Sequence, residues 1–363
     1  MKLSILRELE RACKEPSVSR RLRGWSSTPF AFLHRSKHFG KSLLAIAVIA
    51  ASLTPAIGGK SKSTEKPRTV QFRLPFWLGS SPAEPEATLS ASDLKIIAGK
   101  VPVTVSSLKA PDSPALLFVA FDTVGDISNI NQARSTVVSE INSLGPQYWA
   151  GLISAGEQMQ VLQEPTADRF LLQQKIEELT QIGKAGLLES IQPIADLATS
   201  VLLNSAVRVA VVFITDSDIG NYRADYLNPP VNASDSRDLS RRFAGRALQE
   251  KISRMSALMA RTQAPVFIVH IDPGLDPLNR AYHNGLKQLA EASGGQCLLS
   301  KTSGDIPSTI EEAFHWAKSF YLAEFSLNGQ KGGYTRIQIL VSDSEQGKTP
   351  LPRLIHPARV FIP

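Results

Sequence analysis

Cysteine is nearly absent: the chain has two in 363 residues, Cys13 and Cys297. Neither belongs to a CxxC pair or a Cys/His cluster, which excludes a disulfide scaffold and a structural zinc centre. Long apolar runs are missing too. Nothing in the sequence suggests a series of the roughly 20-residue stretches that cross bilayers, so a multi-span membrane protein is excluded. There is no G-x-S-x-G elbow of the serine hydrolases. A phosphate-cradling G-x-x-x-x-G-K-[ST] loop is lacking, as is a G-x-G-x-x-G after the first buried strand. What remains is globular: 43% hydrophobic and 20% charged residues, which excludes wholesale disorder and collagen.

The net charge of +7 is not spread over the chain. Residues 1–41 hold ten Lys and Arg against three Glu, and the rest holds 30 residues of each sign. The basic surplus belongs to a leader, and a nucleic-acid-binding body is not supported. After the leader comes Leu43–Leu53, LLAIAVIAASL, without a charge. Thr54-Pro55 breaks it, and Ala56-Ile57-Gly58 has the small-x-small form of a cleavage site. Residues 42–59 therefore read as a secretory signal peptide. The alternative is an uncleaved membrane anchor over 43–57, with the leader left in the cytoplasm. The expected location is secreted or periplasmic, with Cys297 as the single thiol after cleavage and no disulfide. Residues 60–90 read as a linker, with polar KSKSTEKPR and Pro-rich SSPAEPEA around an apolar QFRLPFWLG. Pro75 argues against a central strand there.

The body alternates two textures. Leu94–Ala98, a Gly99-Lys100 turn and Val101–Leu108 read as a small hairpin within 91–110. Ala115–Phe121, Val207–Thr215 and Val266–Ile271 are apolar throughout, as strands buried on both faces are. They end in Asp122, Asp216 and Asp272. Between them lie helical stripes. Ile127, Ile130, Ala133, Val137, Ile141 and Leu144 step by three and four. Thr166 is placed to cap a helix over Ala167–Thr180, and Leu187–Leu203 reads as another. A long helix through Leu239–Met259 carries Arg241, Arg242, Arg246 and Lys251 on its other face, a pattern more often solvated than binding. Gly294-Gly295 is placed to close a helix, and Ile310–Phe320 reads as the last one. Tyr321–Leu327 and Thr335–Val341 read as an antiparallel pair across a Gly-rich turn. The expected fold is α/β, a doubly wound and mostly parallel sheet over 111–320, with a β-hairpin before it and a β extension over 321–363. Ligands of such sheets bind at the rim where parallel strands end. Asp122, Asp126 and Asp216 gather there as candidate ligands of a hard divalent cation, Mg²⁺ or Ca²⁺.

In these segments the sequence resembles the von Willebrand factor type A (VWA) domain, closest to the VWA-related secreted proteins of Acidobacteria. Asp122, Val124 and Asp126 stand on the family's D-x-S-x-S. Gly183–Ser190 lies on its Thr-bearing loop, Thr215–Asp218 on its T-D-G-x-D, and Leu289–Gly295 (LAEASGG) on its LAEATGG. The resemblance implies a metal-ion-dependent adhesion site that is degenerate here. Asp122 and Asp216 match it. Val124 and Ala185 or Gly186 replace hydroxyl ligands, and Asp126 replaces the second Ser. A weakly bound divalent cation or none is implied. The three carboxylates would repel one another without an ion, raising the pKa of at least one.

His270 sits inside a buried strand and reads as a satisfied core histidine. His283 and His315 lack an i, i+4 partner. With no nucleophile–base pair in view, the expectation is a bacterial, exported, non-enzymatic module. It would bind a protein or cell-envelope ligand at the rim of Asp122, Asp216 and Asp272. A hydrolase using the acidic rim and a purely structural envelope domain are the alternatives.

Overall fold

The structure is a computed structural model that describes residues 69–79, 89–156, 158–180, 186–218, 236–273, 277–328, 332–341 and 354–362. The leader, the signal or anchor segment, most of the 60–90 stretch, Ala185 and the sequon loop at Asn232 lie outside the described residues, as do the side chains of Arg241 and Arg242. Among the described residues no helix is long and apolar enough to cross a membrane.

The central sheet is built from the runs that lack polar residues. β5 (Ala115–Asp122) and β8 (Arg208–Thr215) are buried along their whole length, as is β9 (Val266–His270). A strand covered on both faces has no position for a solvated side chain. With β6 (Tyr148–Ala155), β7 (Met159–Thr166) and β10 (Cys297–Leu299) they form a six-stranded sheet of order β10-β9-β8-β5-β6-β7. All pairs are parallel except β6–β7. The helices are α1 (Ile127–Ser143), α2 (Arg169–Glu177), α3 (Leu187–Asn204), α4 (Ser236–Met259), α5 (Pro277–Ser293) and α6 (Ile306–Lys318). α1 packs on α2 and α6, while α4 packs on α3 and α5. The doubly wound α/β fold expected from the sequence is what the chain forms.

Local chemistry sets the helix ends. α2 starts later than expected, at Arg169, because the Asp168 carboxylate accepts the Leu171 N–H at 3.1 Å and caps the helix, while the Thr166 hydroxyl only accepts the Asp168 N–H. α5 ends at Gly294, whose φ of 89° suits a residue without a Cβ. A Cβ on the next residue, Gly295, would run into the Val266 carbonyl, so the chain passes close under β9.

The remaining described strands form a second core. β1 (Thr69–Leu78) is a ten-residue strand where a linker was expected. It lies inside a four-stranded sheet of order β13-β1-β11-β4, with β4 at Val105–Lys109, β11 at Tyr321–Asn328 and β13 at Leu354–Ile355. Pro75 is tolerated because its nitrogen faces away from β11. The Arg73 N–H donates to the Gln263 side chain at 2.7 Å, on the side away from the ladder, and Pro75 shares that side by the two-residue alternation. The expected hairpin holds only for β2 (Leu94–Ala98) and β3 (Val101–Val103), since β4 leaves for β11. The expected pairing of the last two long strands is also corrected. β11 pairs with β1 and β4, whereas β12 (Gly333–Val341) pairs with β2 and with β14 (Arg359–Ile362) in another sheet, of order β14-β12-β2-β3. Phe72, Leu74, Phe76, Ile96, Phe325, Ile337 and Ile339 form one buried cluster between these two sheets, which is a sandwich.

β1 also ties the sandwich to the α/β unit. Its even residues, Phe72, Leu74 and Phe76, enter the sandwich core, while Trp77 is 2% exposed within the α/β core. The indole meets Phe267 edge-on at 5.9 Å, and its Nε1–H donates to the Trp316 carbonyl at 2.9 Å. Trp77→Phe keeps most of the ring and removes the donor. An unmet buried carbonyl costs about 1–3 kcal/mol, and urea unfolding should show a loss of that size.

Candidate functional site

The chain leaves β5 toward β6 on one side and later fills β8, β9 and β10 on the other, so the crevice at the C-terminal ends of β5 and β8 is the topological switch point. Asp122, the last residue of β5, sits there 2% exposed. Its Oδ1 accepts the Gly186 N–H at 2.7 Å, and its Oδ2 accepts the Thr215 hydroxyl at 3.0 Å. Burial pushes this carboxyl up to about 7; the bonds from Gly186 and Thr215 oppose that rise, and the Asp216 charge adds to it.

Asp216 turns its carboxylate onto the loop after β5. Val124 N–H donates to both oxygens, at 2.9 and 3.0 Å, and Gly125 N–H donates to Oδ2 at 2.7 Å. Its pKa is raised, by burial first, against the pull of those amides, with the Asp272 charge contributing. Asp126 has another task. Its Oδ1 accepts the Ser128 and Asn129 N–H groups at 2.8 and 3.1 Å, which makes it the N-cap of α1. Asp272 is exposed beyond β9.

The rim thus brings Asp122 and Asp216 near each other and ties Asp126 to a helix end. Among the described residues no three His, Cys, Asp or Glu side chains group as a metal site. The expected rise in carboxylate pKa is present, but burial rather than mutual repulsion is its first cause. At two positions where the resemblance implies hydroxyl ligands, backbone amides act instead: Gly186 N–H holds Asp122 and Val124 N–H holds Asp216.

Sequence reasoning missed three hydroxyls behind the rim. Thr215, Ser217 and Tyr282 are buried. The Thr215 and Ser217 hydroxyls lie 2.8 Å apart, and Ser217 Oγ lies 2.8 Å from the Tyr282 hydroxyl. A polar chain therefore runs from Asp122 to α5, and the only hint of it in the sequence is the polar Thr-Asp-Ser that ends an apolar strand. His270 joins it as the satisfied core histidine the strand implied. Its Nε2 is 2.7 Å from the Ser217 carbonyl, and its Nδ1 accepts the Asp272 N–H at 3.3 Å. A carbonyl only accepts, so Nε2 carries the proton and the ring is neutral. Burial lowers its pKa to about 4. Both nitrogens being engaged, His270 has none left to act as a general base.

Ile127 was also misplaced by the helical stripe. It is 64% exposed, at the first position of α1 beside Asp126, while Ile130, Ala133, Val137 and Ile141 are buried. The rim therefore carries an exposed apolar side chain directly after the exposed Asp126, while the exposed Asp272, whose charge reaches Asp216, ends the neighbouring β9.

No protein-family model matches the chain, and no curated protein matches it. Among solved structures it is similar to the SpRpn10 VWA domain, with 17% identity over 55% of this chain and 94% of that one, at a TM-score of 0.34. It is similar to the vWF domain of the type V pili tip protein Mfa5 from Porphyromonas gingivalis, with 13% identity over 56% and 94% of the two chains and a TM-score of 0.37. It is also similar to the PilB minor pilin from Streptococcus sanguinis, with 11% identity over 57% and 61% and a TM-score of 0.40. These scores are low, and the fold rests on the strand order and registers of the chain itself.

Proposed function

We propose that the chain is an exported bacterial VWA-like module, of the kind found in VWA-related proteins of Acidobacteria, that binds a protein or cell-envelope ligand through the rim. The observation that carries this reading is the exposed Ile127 directly after Asp126, on the loop whose Val124 and Gly125 amides hold Asp216, while the Gly186 amide holds Asp122. An exposed apolar side chain beside a carboxylate, on a loop fixed by hydrogen bonds, suits protein recognition. It does not need an ion to complete it. A divalent cation, Mg²⁺ or Ca²⁺, then binds at Asp122 and Asp216 weakly or not at all, because water would have to replace the absent hydroxyl ligands. Titration calorimetry should show no binding tighter than millimolar.

Ile127→Arg tests the rim. An exposed substitution changes stability by no more than about 0.5 kcal/mol, so the fold should persist. Envelope proteins retained by the wild-type chain should be lost by this variant and kept by Arg241→Glu with Arg242→Glu. Loss in the arginine pair alone would move the surface to α4. Fractionation with N-terminal sequencing checks export, and an intact N-terminus in the cytoplasm would defeat it.

A further inference from the structure

β10 ends the six-stranded sheet. It pairs with β9 on one side, and no strand among the described residues pairs with its other side. Its bonds to β9 fix which backbone groups look outward. The Gln296 carbonyl accepts the Ile268 N–H at 2.9 Å, and the Ser300 N–H donates to the His270 carbonyl at 3.0 Å. Residues 296, 298 and 300 therefore face β9. In a parallel ladder the residues between them turn both backbone groups the other way. The N–H and C=O groups of Cys297 and Leu299 thus point to the open edge.

That edge is the floor of a trough. A cavity of about 590 Å³ is lined by β10, by Arg280 and Lys287 of α5, by Lys301 just after β10, and by Glu312 of α6. One wall comes from the helix before β10 and the other from the helix after it. The cavity thus lies where a seventh strand would continue the sheet, and its size falls within the range of ligand pockets, about 300–1,000 Å³. Leu298 and Leu299 give it an apolar floor. The lining holds three exposed cations, Arg280, Lys287 and Lys301, against the carboxylate of Glu312, and the charge of Glu291 on α5 also reaches Cys297, so cations outnumber carboxylates by three to two. A short edge with lysines resists indiscriminate strand pairing. The same cations favour a strand that carries negative charge.

We propose that the β10 edge is a docking site for an extended acidic segment of a partner protein, which adds to the sheet as a short strand. Main-chain bonds to Cys297 and Leu299 supply its register, and Arg280, Lys287 and Lys301 select its acidic side chains. This mode of recognition takes affinity from backbone pairing and specificity from side-chain contacts. It borders the rim at Pro273 but uses the edge of β10, and it stands whether or not the rim binds a ligand.

The test uses the full chain and a fluorescent peptide of alternating Glu and Val, seven residues long. Two controls accompany it: the same peptide N-methylated at alternate amides, and one with Lys in place of Glu. Anisotropy should show saturable binding of the acidic peptide, with at least about tenfold weaker binding of both controls. Lys287→Glu with Lys301→Glu, both on the surface, should weaken the acidic peptide to a similar degree while circular dichroism stays unchanged. The idea fails if the acidic peptide does not saturate the wild-type chain at about millimolar concentration. Equal binding of the N-methylated peptide would show an anion cavity without strand addition and also overturns it. So does unchanged affinity in the lysine double variant.

Discussion

Arg208→Ala is expected to lower the unfolding free energy by about 3–5 kcal/mol in urea titrations, among the largest effects of any single change in the chain. The side chain is fully buried at the start of β8. Its Nη1 donates to the Lys318 and Phe320 carbonyls at 2.7 and 3.0 Å. Its Nη2 donates to the Pro111 carbonyl and, at 2.9 Å, to that of Ser113. The guanidinium also lies over the Phe320 ring, 5.0 Å from its centroid. Residues 111–113 lead from the sandwich into the α/β unit, and residues 318–320 lead back out, so one planar fork holds both crossings. Alanine would leave the Lys318, Phe320 and Ser113 carbonyls without this donor, and the Pro111 carbonyl with the Tyr148 hydroxyl alone. Arg208→Lys tests the fork itself. Lysine keeps the charge but not the planar, five-donor geometry, so it should recover only part of the loss. If lysine restored full stability, the charge alone would be responsible.

Much of the α/β unit was legible because burial on both faces leaves a local trace. β5, β8 and β9 are unbroken apolar runs, and α1 and α3 show steps of three and four. The sandwich left no comparable trace. β1 finds its partner β11 on the far side of the whole α/β unit in the sequence, and the outward Arg73 N–H on the side that Pro75 shares is met by Gln263, a residue distant in sequence. β11 and β12 were misread for a similar reason. A short Gly-bearing connection suggests a hairpin, but Phe72 stacking on Phe325 and Phe76 on Tyr321 fix β11 beside β1. At the rim, Asp122 and Asp216 were legible as strand ends. Asp126 could have been read as a cap, since an Asp directly before a helical stripe is a start signal. The hydroxyl chain through Ser217 to Tyr282 could not, because it joins a strand end to a helix far along the chain.

The second large effect concerns pH. Asp122 has a folded pKa of about 7 against 3.8 for an ordinary aspartate. A carboxyl raised in this way contributes stability that is fully present below pH 3.8. The contribution is lost as pH climbs toward 7, by roughly 4 kcal/mol at 1.36 kcal/mol per unit. His270 acts in the opposite sense. Its folded pKa of about 4, against 6.5, favours folding progressively as pH rises between those values. The wild-type profile mixes both, so the measurement is the difference between the wild-type chain and Asp122→Asn, taken in chelator from pH 4 to pH 7.5. The wild type should lose about 4 kcal/mol relative to the variant across that window. A flat difference would mean that the amide of Gly186 and the hydroxyl of Thr215 hold the carboxylate ionised despite its burial. The same pair of proteins reports on metal. A divalent cation at the rim would favour the charged form and pull the Asp122 pKa back down. Because Asp122 and Asp216 already spend their oxygens on Gly186, Thr215, Val124 and Gly125, adding about 1 mM Mg²⁺ or Ca²⁺ should leave the slope in place, since stabilisation stays under about 0.5 kcal/mol while the ion does not exceed its Kd. Disappearance of the slope on adding either ion would show that the carboxylates leave their amides for the metal, and would restore the adhesion-type site that Val124 and Gly186 argue against.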